Sequence, residues 1–69
     1  MKIRINGEEK IIEINKDNAY LSNTLEVIGY KQKTVVVELN NIIVNSTKWG
    51  EVLLKDGDSL EIVSIVGGG

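Results

Sequence analysis

The residues best placed to do chemistry lie at the C-terminal end of this chain. Gly67, Gly68 and Gly69 directly follow an apolar run over residues 60–66. Three residues without a Cβ cannot pack a core, and glycine loses more conformational freedom on ordering than any other residue. They form a thin thread that ends in a free carboxylate and reaches roughly 10 Å, at about 3.3 Å per extended residue. Such a thread fits a channel too narrow for side chains. The alternative is a frayed end or a cloning remnant.

The rest of the composition leaves few catalytic groups. The chain has 69 residues with no cysteine and no histidine. Disulfides, thiol chemistry, histidine-containing zinc sites and Ser-His-Asp triads are therefore excluded. A single domain of this length buries only about 60% of the surface that its unfolded chain exposes, so its core must be small and efficient.

Charge and hydropathy indicate a globular protein that binds neither nucleic acid nor membrane. The chain is 42% hydrophobic and 26% charged, with a net charge of −2 and three aromatic residues. Nucleic-acid binding favours a concentrated basic face with stacking rings. The apolar runs are far shorter than the roughly 20 residues that a bilayer requires. The N-terminal segment lacks a signal core, so we expect the mature protein to start at Met1 and to be cytoplasmic.

The first two predicted strands form a β-hairpin. Residues 2–5 alternate between charged and apolar side chains, and Asn6 and Gly7 are a strong tight-turn signal. The apolar positions Ile12 and Ile14 then indicate the return strand.

The period changes after the hairpin and predicts one short helix. Leu21, Leu25 and Ile28 fall at i, i+4 and i+7, so they share one helical face. Gly29 suits the left-handed end of a helix. Two starts remain open for this helix. Asp17 or Asn18 can cap it, or Asn23 can do so with Glu26 at capping-box spacing.

The second half of the chain predicts three more strands. Residues 34–39 are β-branched and apolar, and Asn40 and Asn41 tolerate positive φ, so residues 42–44 form the return strand. The final strand covers residues 60–66. The segments between them are a turn-rich crossing (46–50), a brief extended piece (52–54) and a turn (56–58).

One helix can cover only one face of such a sheet. If Leu60 and Ile62 point towards the helix, then Val63 and Ile65 point away from it, where they meet Val36 on a neighbouring strand. A two-sided central strand has the same pattern. We favour a partner-binding surface formed by Val36, Val63 and Ile65, because it lies beside the start of the glycine thread.

Other candidate sites have structural explanations. Asp56 and Asp58 flank Gly57, but this fragment lacks the ligand spacing of a calcium loop, so we interpret it as a turn. The isolated glycines form no phosphate-binding loop. Trp49 suits a partly buried core position better than a contact surface.

The order of these features resembles a known family, the ubiquitin-like β-grasp sulfur carriers, and most closely the ThiS family of thiamine biosynthesis. The resemblance spans the whole chain. The matching features are Met1-Lys2-Ile3 with Asn6-Gly7, Val37-Glu38-Leu39-Asn40 leading to Ile43-Val44, Trp49, Lys55-Asp56-Gly57-Asp58, Glu61-Ile62-Val63 and Val66-Gly67-Gly68-Gly69.

The resemblance implies an α+β fold, with a mixed sheet of about five strands packed on one short helix. Residues 1–66 would form the β-grasp domain and residues 67–69 a flexible tail. It implies that the chain is not an enzyme and binds no cofactor itself. An E1-like adenylyltransferase would use ATP to adenylate the carboxylate of Gly69, while Gly67 and Gly68 thread into the enzyme. A sulfur donor protein would then leave a thiocarboxylate, whose sulfur thiazole synthase would use to form the thiazole ring of thiamine.

Three other functions remain open from the sequence. The small subunit of molybdopterin synthase also ends in Gly-Gly. A protein-conjugating modifier would join Gly69 to a lysine of its target. A non-catalytic binding module would have an incidental glycine end.

Overall fold

The computed structural model describes residues 1–65 as a five-stranded mixed sheet with one α-helix packed on one face, which confirms the expected α+β β-grasp architecture. The strand order is β2-β1-β5-β3-β4, in which β1 and β5 are parallel and the other neighbours are antiparallel. Within this part of the chain, no helix has the length and apolar character needed to cross a membrane. The elements are β1 (Lys2–Ile5), β2 (Glu8–Ile11), α1 (Leu21–Ile28), β3 (Val35–Leu39), β4 (Ile42–Ile43) and β5 (Ser59–Ser64), with 3-10 helices at Lys16–Asn18 and Ser46–Glu51.

The N-terminal hairpin turns at the predicted residues but returns earlier than expected. Asn6 and Gly7 have φ values of 52° and 83°, the positive values that a two-residue type I′ turn requires. β2 therefore begins directly after the turn, and the prediction that the return strand lies at Ile12 and Ile14 was wrong. The sequence pattern misses β2 because all four of its residues are exposed, so no apolar alternation marks it.

The C-terminal end of α1 follows from its glycine. Gly29 has a φ of 110°, and its N–H donates to the carbonyls of Leu25 and Glu26 at 3.0 and 3.1 Å. These bonds satisfy carbonyls that the end of the helix leaves free. The predicted left-handed helix end at Gly29 is confirmed.

The N-terminal end of α1 differs from both predicted starts. Tyr20 is the N-cap and makes no side-chain capping bond. Instead, the N–H of Leu21 donates to the carbonyl of Val52 at 2.7 Å. Residues 17–18 belong to a separate 3-10 helix, and Asn23 lies inside α1, so neither predicted cap is used. A contact from a distant segment replaces the local cap.

The core lies between α1 and the inner face of the sheet. Trp49 is 3% exposed, and its Nε1 donates to the carbonyl of Val44 at 3.0 Å, which confirms the predicted buried position of this ring. Fully burying a large aliphatic side chain is worth about 1.5–3 kcal/mol, so this small core accounts for much of the stability. Its buried members are Ile3, Ile5, Leu21, Leu25, Val35, Val37, Trp49, Leu54, Leu60 and Ile62.

The turn that precedes β5 is held by a buried carboxylate. Asp58 is 3% exposed and accepts hydrogen bonds from the Lys55 N–H at 2.9 Å, the Lys55 Nζ at 3.0 Å and the Asn40 Nδ2 at 3.1 Å. Burial opposes ionisation of Asp58, but these donors outweigh it and hold its pKa below the usual value. The interpretation of this segment as a turn is confirmed. Residues 1–65 contain no cluster of three potential metal-ligating side chains.

The last two strands are shorter than predicted. Asn40 and Asn41 have φ values of 49° and 74° and form the expected turn between β3 and β4. β4 contains only two residues, so Val44 lies outside it, and β5 ends at Ser64 rather than at residue 66. Val66 lies outside the described residues.

Candidate functional site

The candidate site is the open face of the sheet, meaning the face turned away from α1. Side chains alternate along a strand, and directly paired residues of neighbouring strands share a face. Leu60 and Ile62 are buried on the inner face, so Val63 lies on the open face, and its cross-strand partner is Val36. The expectation that Val63 faces away from the helix and meets Val36 is confirmed.

Four aliphatic side chains form an exposed cluster here, which we call the open-face patch: Val36, Ile43, Val63 and Ile65. Their exposed fractions are 40%, 66%, 62% and 51% in that order. Val36, Ile43 and Ile65 also line a shallow groove of about 250 Å³. A contiguous apolar surface on a small protein is typical of an interaction site. The binding role assigned to Val36, Val63 and Ile65 stays a prediction.

Ile43 is the member of the patch that the sequence analysis missed. It is the cross-strand partner of Glu38, which lies on the open face two residues after Val36. The sequence contains the information that places Ile43 on the open face. A two-residue turn at Asn40 and Asn41 fixes the register of β4 against β3. Extending the alternation of β3 through this turn places Ile43 on the same face.

The chain leaves the sheet beside the open-face patch. The N–H of Ile65 donates to the carbonyl of Thr34 at 2.8 Å, so Ile65 stays beside the start of β3 after β5 has ended. Gly67, Gly68 and Gly69 lie outside the described residues. Their assignment as threading residues and reactive end, and the division into residues 1–66 and 67–69, therefore remain predictions.

Charged side chains border the patch on the open face. Glu38 and Glu61 are cross-strand partners on β3 and β5. On the other side of β5, Arg4 pairs with Ser59 in the parallel ladder, and Lys2 forms an ion pair with Glu9 at 3.7 Å. The open face therefore has an apolar end, where the chain leaves the sheet, and a charged remainder.

A second, larger groove lies elsewhere on the described part of the chain. It measures about 560 Å³ and lies between α1 and the Ser46–Glu51 3-10 helix. Glu26 is the one carboxylate in its lining, and the chain has no histidine or cysteine to act with it. Tyr30 and Lys31 also line it, but within residues 1–65 no ion pair joins Glu26 to Lys31, so the groove contains no assembled acid-base pair.

The buried carboxylate Asp58 is also remote from the chain exit. It precedes β5, whereas residue 65 follows that strand. A strand of six residues spans about 20 Å. Asp58 therefore positions the start of β5 and cannot contact the chain where it leaves the sheet.

Comparisons with known proteins agree with this architecture. The family model of ThiS matches residues 3–69. The sulfur carrier protein ThiS of Bacillus subtilis is 34% identical over 67 residues, which cover 97% of this chain and 98% of that protein. A thiazole synthase of Paramagnetospirillum magneticum is 40% identical over 73 residues, which cover 100% of this chain but only 20% of the synthase.

A solved structure gives the same result. The crystal structure of the thiamine biosynthesis protein ThiS from Geobacter metallireducens matches with a TM-score of 0.82 at 26% identity, and the match covers 100% of both chains. The family model, the sequence of a relative over nearly its full length and a solved structure therefore all match this chain. This chain belongs to the ThiS family of β-grasp sulfur carriers.

Proposed function

We propose that the C-terminal carboxylate of Gly69 carries sulfur as a thiocarboxylate in thiamine biosynthesis. A carboxylate oxygen attacks the α-phosphorus of ATP on an E1-like adenylyltransferase, and pyrophosphate leaves. A hydrosulfide released by a sulfur donor protein then attacks the acyl carbon, AMP leaves with the bonding electrons, and loss of the sulfur-bound proton to solvent leaves the thiocarboxylate. The chain is the substrate of these steps, and the ATP is bound by its partner in the cytoplasm.

The observation that carries this proposal is that the family match runs to Gly69, while β5 directs the chain out of the sheet beside the open-face patch. A carrier needs a terminus that reaches another active site and a surface by which the partner holds the domain. The chain exit and the patch are adjacent at Ile65.

The glycines suit this chemistry for a physical reason. A carboxylate is a poor electrophile until it is activated, and adenylation supplies a good leaving group. The activating enzyme must exclude water from the acyl adenylate, because water would return it to the carboxylate. Residues without a Cβ let the walls of a channel close on the backbone.

Thiazole synthase is the proposed acceptor of the sulfur. The thiazole synthase of Paramagnetospirillum magneticum contains a segment similar to the whole of this chain. That segment and the rest of the synthase belong to one polypeptide, which supports a functional pairing between this chain and a thiazole synthase.

Intact mass spectrometry of the protein from cells that depend on it for thiamine tests the proposal. We expect a fraction of the chain in which one terminal oxygen is replaced by sulfur, and fragmentation places that sulfur on Gly69. A chain that lacks Gly69 is the control and should show no such species. A terminus that stays an unmodified carboxylate, or high-mass adducts to lysines of other proteins, would contradict the carrier function.

A further inference from the structure

Two glutamates lie directly opposite each other on the open face. Glu38 on β3 and Glu61 on β5 are cross-strand partners in an antiparallel ladder. Cβ atoms of such partners are about 4.5–5.5 Å apart, and like charges in this arrangement destabilise a sheet. The fold therefore keeps a locally unfavourable pair in the middle of an exposed face.

Nothing within residues 1–65 neutralises this pair at contact distance. The ion pairs of this part of the chain involve Glu8, Glu9, Glu51, Asp56 and Asp58, and neither Glu38 nor Glu61 has a cation within 4.0 Å. Arg4 is the nearest basic residue by register, because it pairs with Ser59, two residues before Glu61. Arg4 forms no ion pair with the carboxylate of Glu38 or Glu61.

The glutamates are continuous with the open-face patch. Glu61 and Val63 lie on the same face two residues apart, and the same spacing relates Glu38 to Val36. Ile43 is the cross-strand partner of Glu38, which is already half-buried. A protein that covers the patch also covers the carboxylates, and a covered charge without a partner is strongly unfavourable.

We propose that the thiazole synthase surface that receives the open-face patch places arginine or lysine side chains opposite Glu38 and Glu61. This inference rests on the proposed function and specifies its partner. The glutamates repel each other in the free chain and gain charge-assisted hydrogen bonds in the complex. They therefore direct the orientation and speed of docking, while the aliphatic side chains supply apolar burial. Residues 1–65 place no third potential metal-ligating side chain beside the two glutamates.

The test compares two double variants with equal charge changes. Glu38→Gln with Glu61→Gln removes the acidic pair, whereas Glu13→Gln with Glu26→Gln removes two exposed charges that lie outside the open-face strands. Association rates with thiazole synthase of the same organism are measured at several salt concentrations. We expect the first variant to associate about tenfold more slowly at low salt, with a weaker salt dependence, and the second to match the native chain.

A second readout separates recognition from folding. Relief of the like-charge contact should leave the melting temperature of the Glu38→Gln, Glu61→Gln chain equal to or above that of the native chain. Slower association by a more stable domain supports a recognition role. Equal rates and salt slopes for the two double variants overturn the proposal, as does a native chain that does not bind the synthase. The sulfur on Gly69 is measured separately, so the carrier function can survive either result.

Discussion

A substitution at position 68 tests the proposed chemistry of the tail without a change in the described core. Among residues 1–65, every buried core residue lies between Ile3 and Ile62, so the described core does not depend on position 68. We expect Gly68→Leu to fold normally but to lose at least about a hundredfold in adenylation, because a small displacement of a reacting group has an effect of this size. ATP–pyrophosphate exchange by the activating enzyme measures the loss.

The matched control for this variant is Gly50→Ala. A Cβ at Gly50 meets only the Ser22 Oγ at 3.9 Å, which is an ordinary contact. This variant should be adenylated at the native rate. Normal turnover of Gly68→Leu would remove the threaded tail from the mechanism.

Asp58 is the residue whose charge matters for stability. Its folded pKa lies below the unfolded value of about 3.9, so its contribution is complete above that pH and is lost as the pH falls through the folded pKa. We expect Asp58→Asn to lower the free energy of unfolding by about 1–3 kcal/mol at pH 7, since hydrogen bonds to a buried charge are lost. The difference from the native chain should shrink at pH 3. Urea denaturation at both pH values measures it, and a difference that does not change with pH would show that the charge is unimportant.

Among the elements, β3, β4 and β5 with the residue that follows β5 present the open-face patch. We expect Val63→Ser with Ile65→Ser to weaken binding to thiazole synthase about tenfold or more, since each aliphatic side chain contributes up to about 1.5–3 kcal/mol when fully buried. Isothermal titration calorimetry measures the dissociation constant.

The control for the patch uses two aliphatic side chains with similar exposure elsewhere. Val27 on α1 and Ile42 on β4 are 56% and 70% exposed, and Ile42 pairs with Leu39 on the inner side of the sheet. Val27→Ser with Ile42→Ser should bind like the native chain. An equal loss in both double variants would mean that the patch has no special role.

Sequence patterns predicted the elements whose signals are local. The turn at Asn6 and Gly7, the helix end at Gly29 and the outward side of Val63 each follow from backbone conformation or alternation within a few residues. The start of α1 could not be predicted this way, because the N–H of Leu21 is satisfied by Val52, which only the folded chain brings near.

The candidate site could be predicted only where its residues follow from local patterns. Val36, Val63 and Ile65 follow from alternation along β3 and β5, whereas Ile43 requires the register across a turn. The opposed glutamates likewise depend on register. A pattern within one strand gives the side on which a residue lies but does not identify its neighbour.

At the scale of the whole molecule, the folded core and the proposed carrier chemistry use different parts of the chain. Within the described part of the chain, the last buried core residue is Ile62 and the last strand ends at Ser64. We expect deletion of Gly68 and Gly69 to change the free energy of unfolding by less than about 0.5 kcal/mol, as for surface changes in general, and to abolish sulfur transfer. Thermal unfolding and a thiazole-forming assay measure the two effects. Sulfur transfer by the shortened chain would instead identify the domain as a binding module with an incidental glycine end.

The position of β5 also determines how the molecule responds to pulling. β5 lies inside the sheet, with a parallel neighbour, β1, on one side and an antiparallel neighbour, β3, on the other. Tension applied to the chain beyond Ser64 acts along this strand and loads both ladders in shear, so several hydrogen bonds must break together. An edge strand would instead peel away one bond at a time. The proposed transfer of the terminus into a partner's active site would therefore leave the domain attached to it folded.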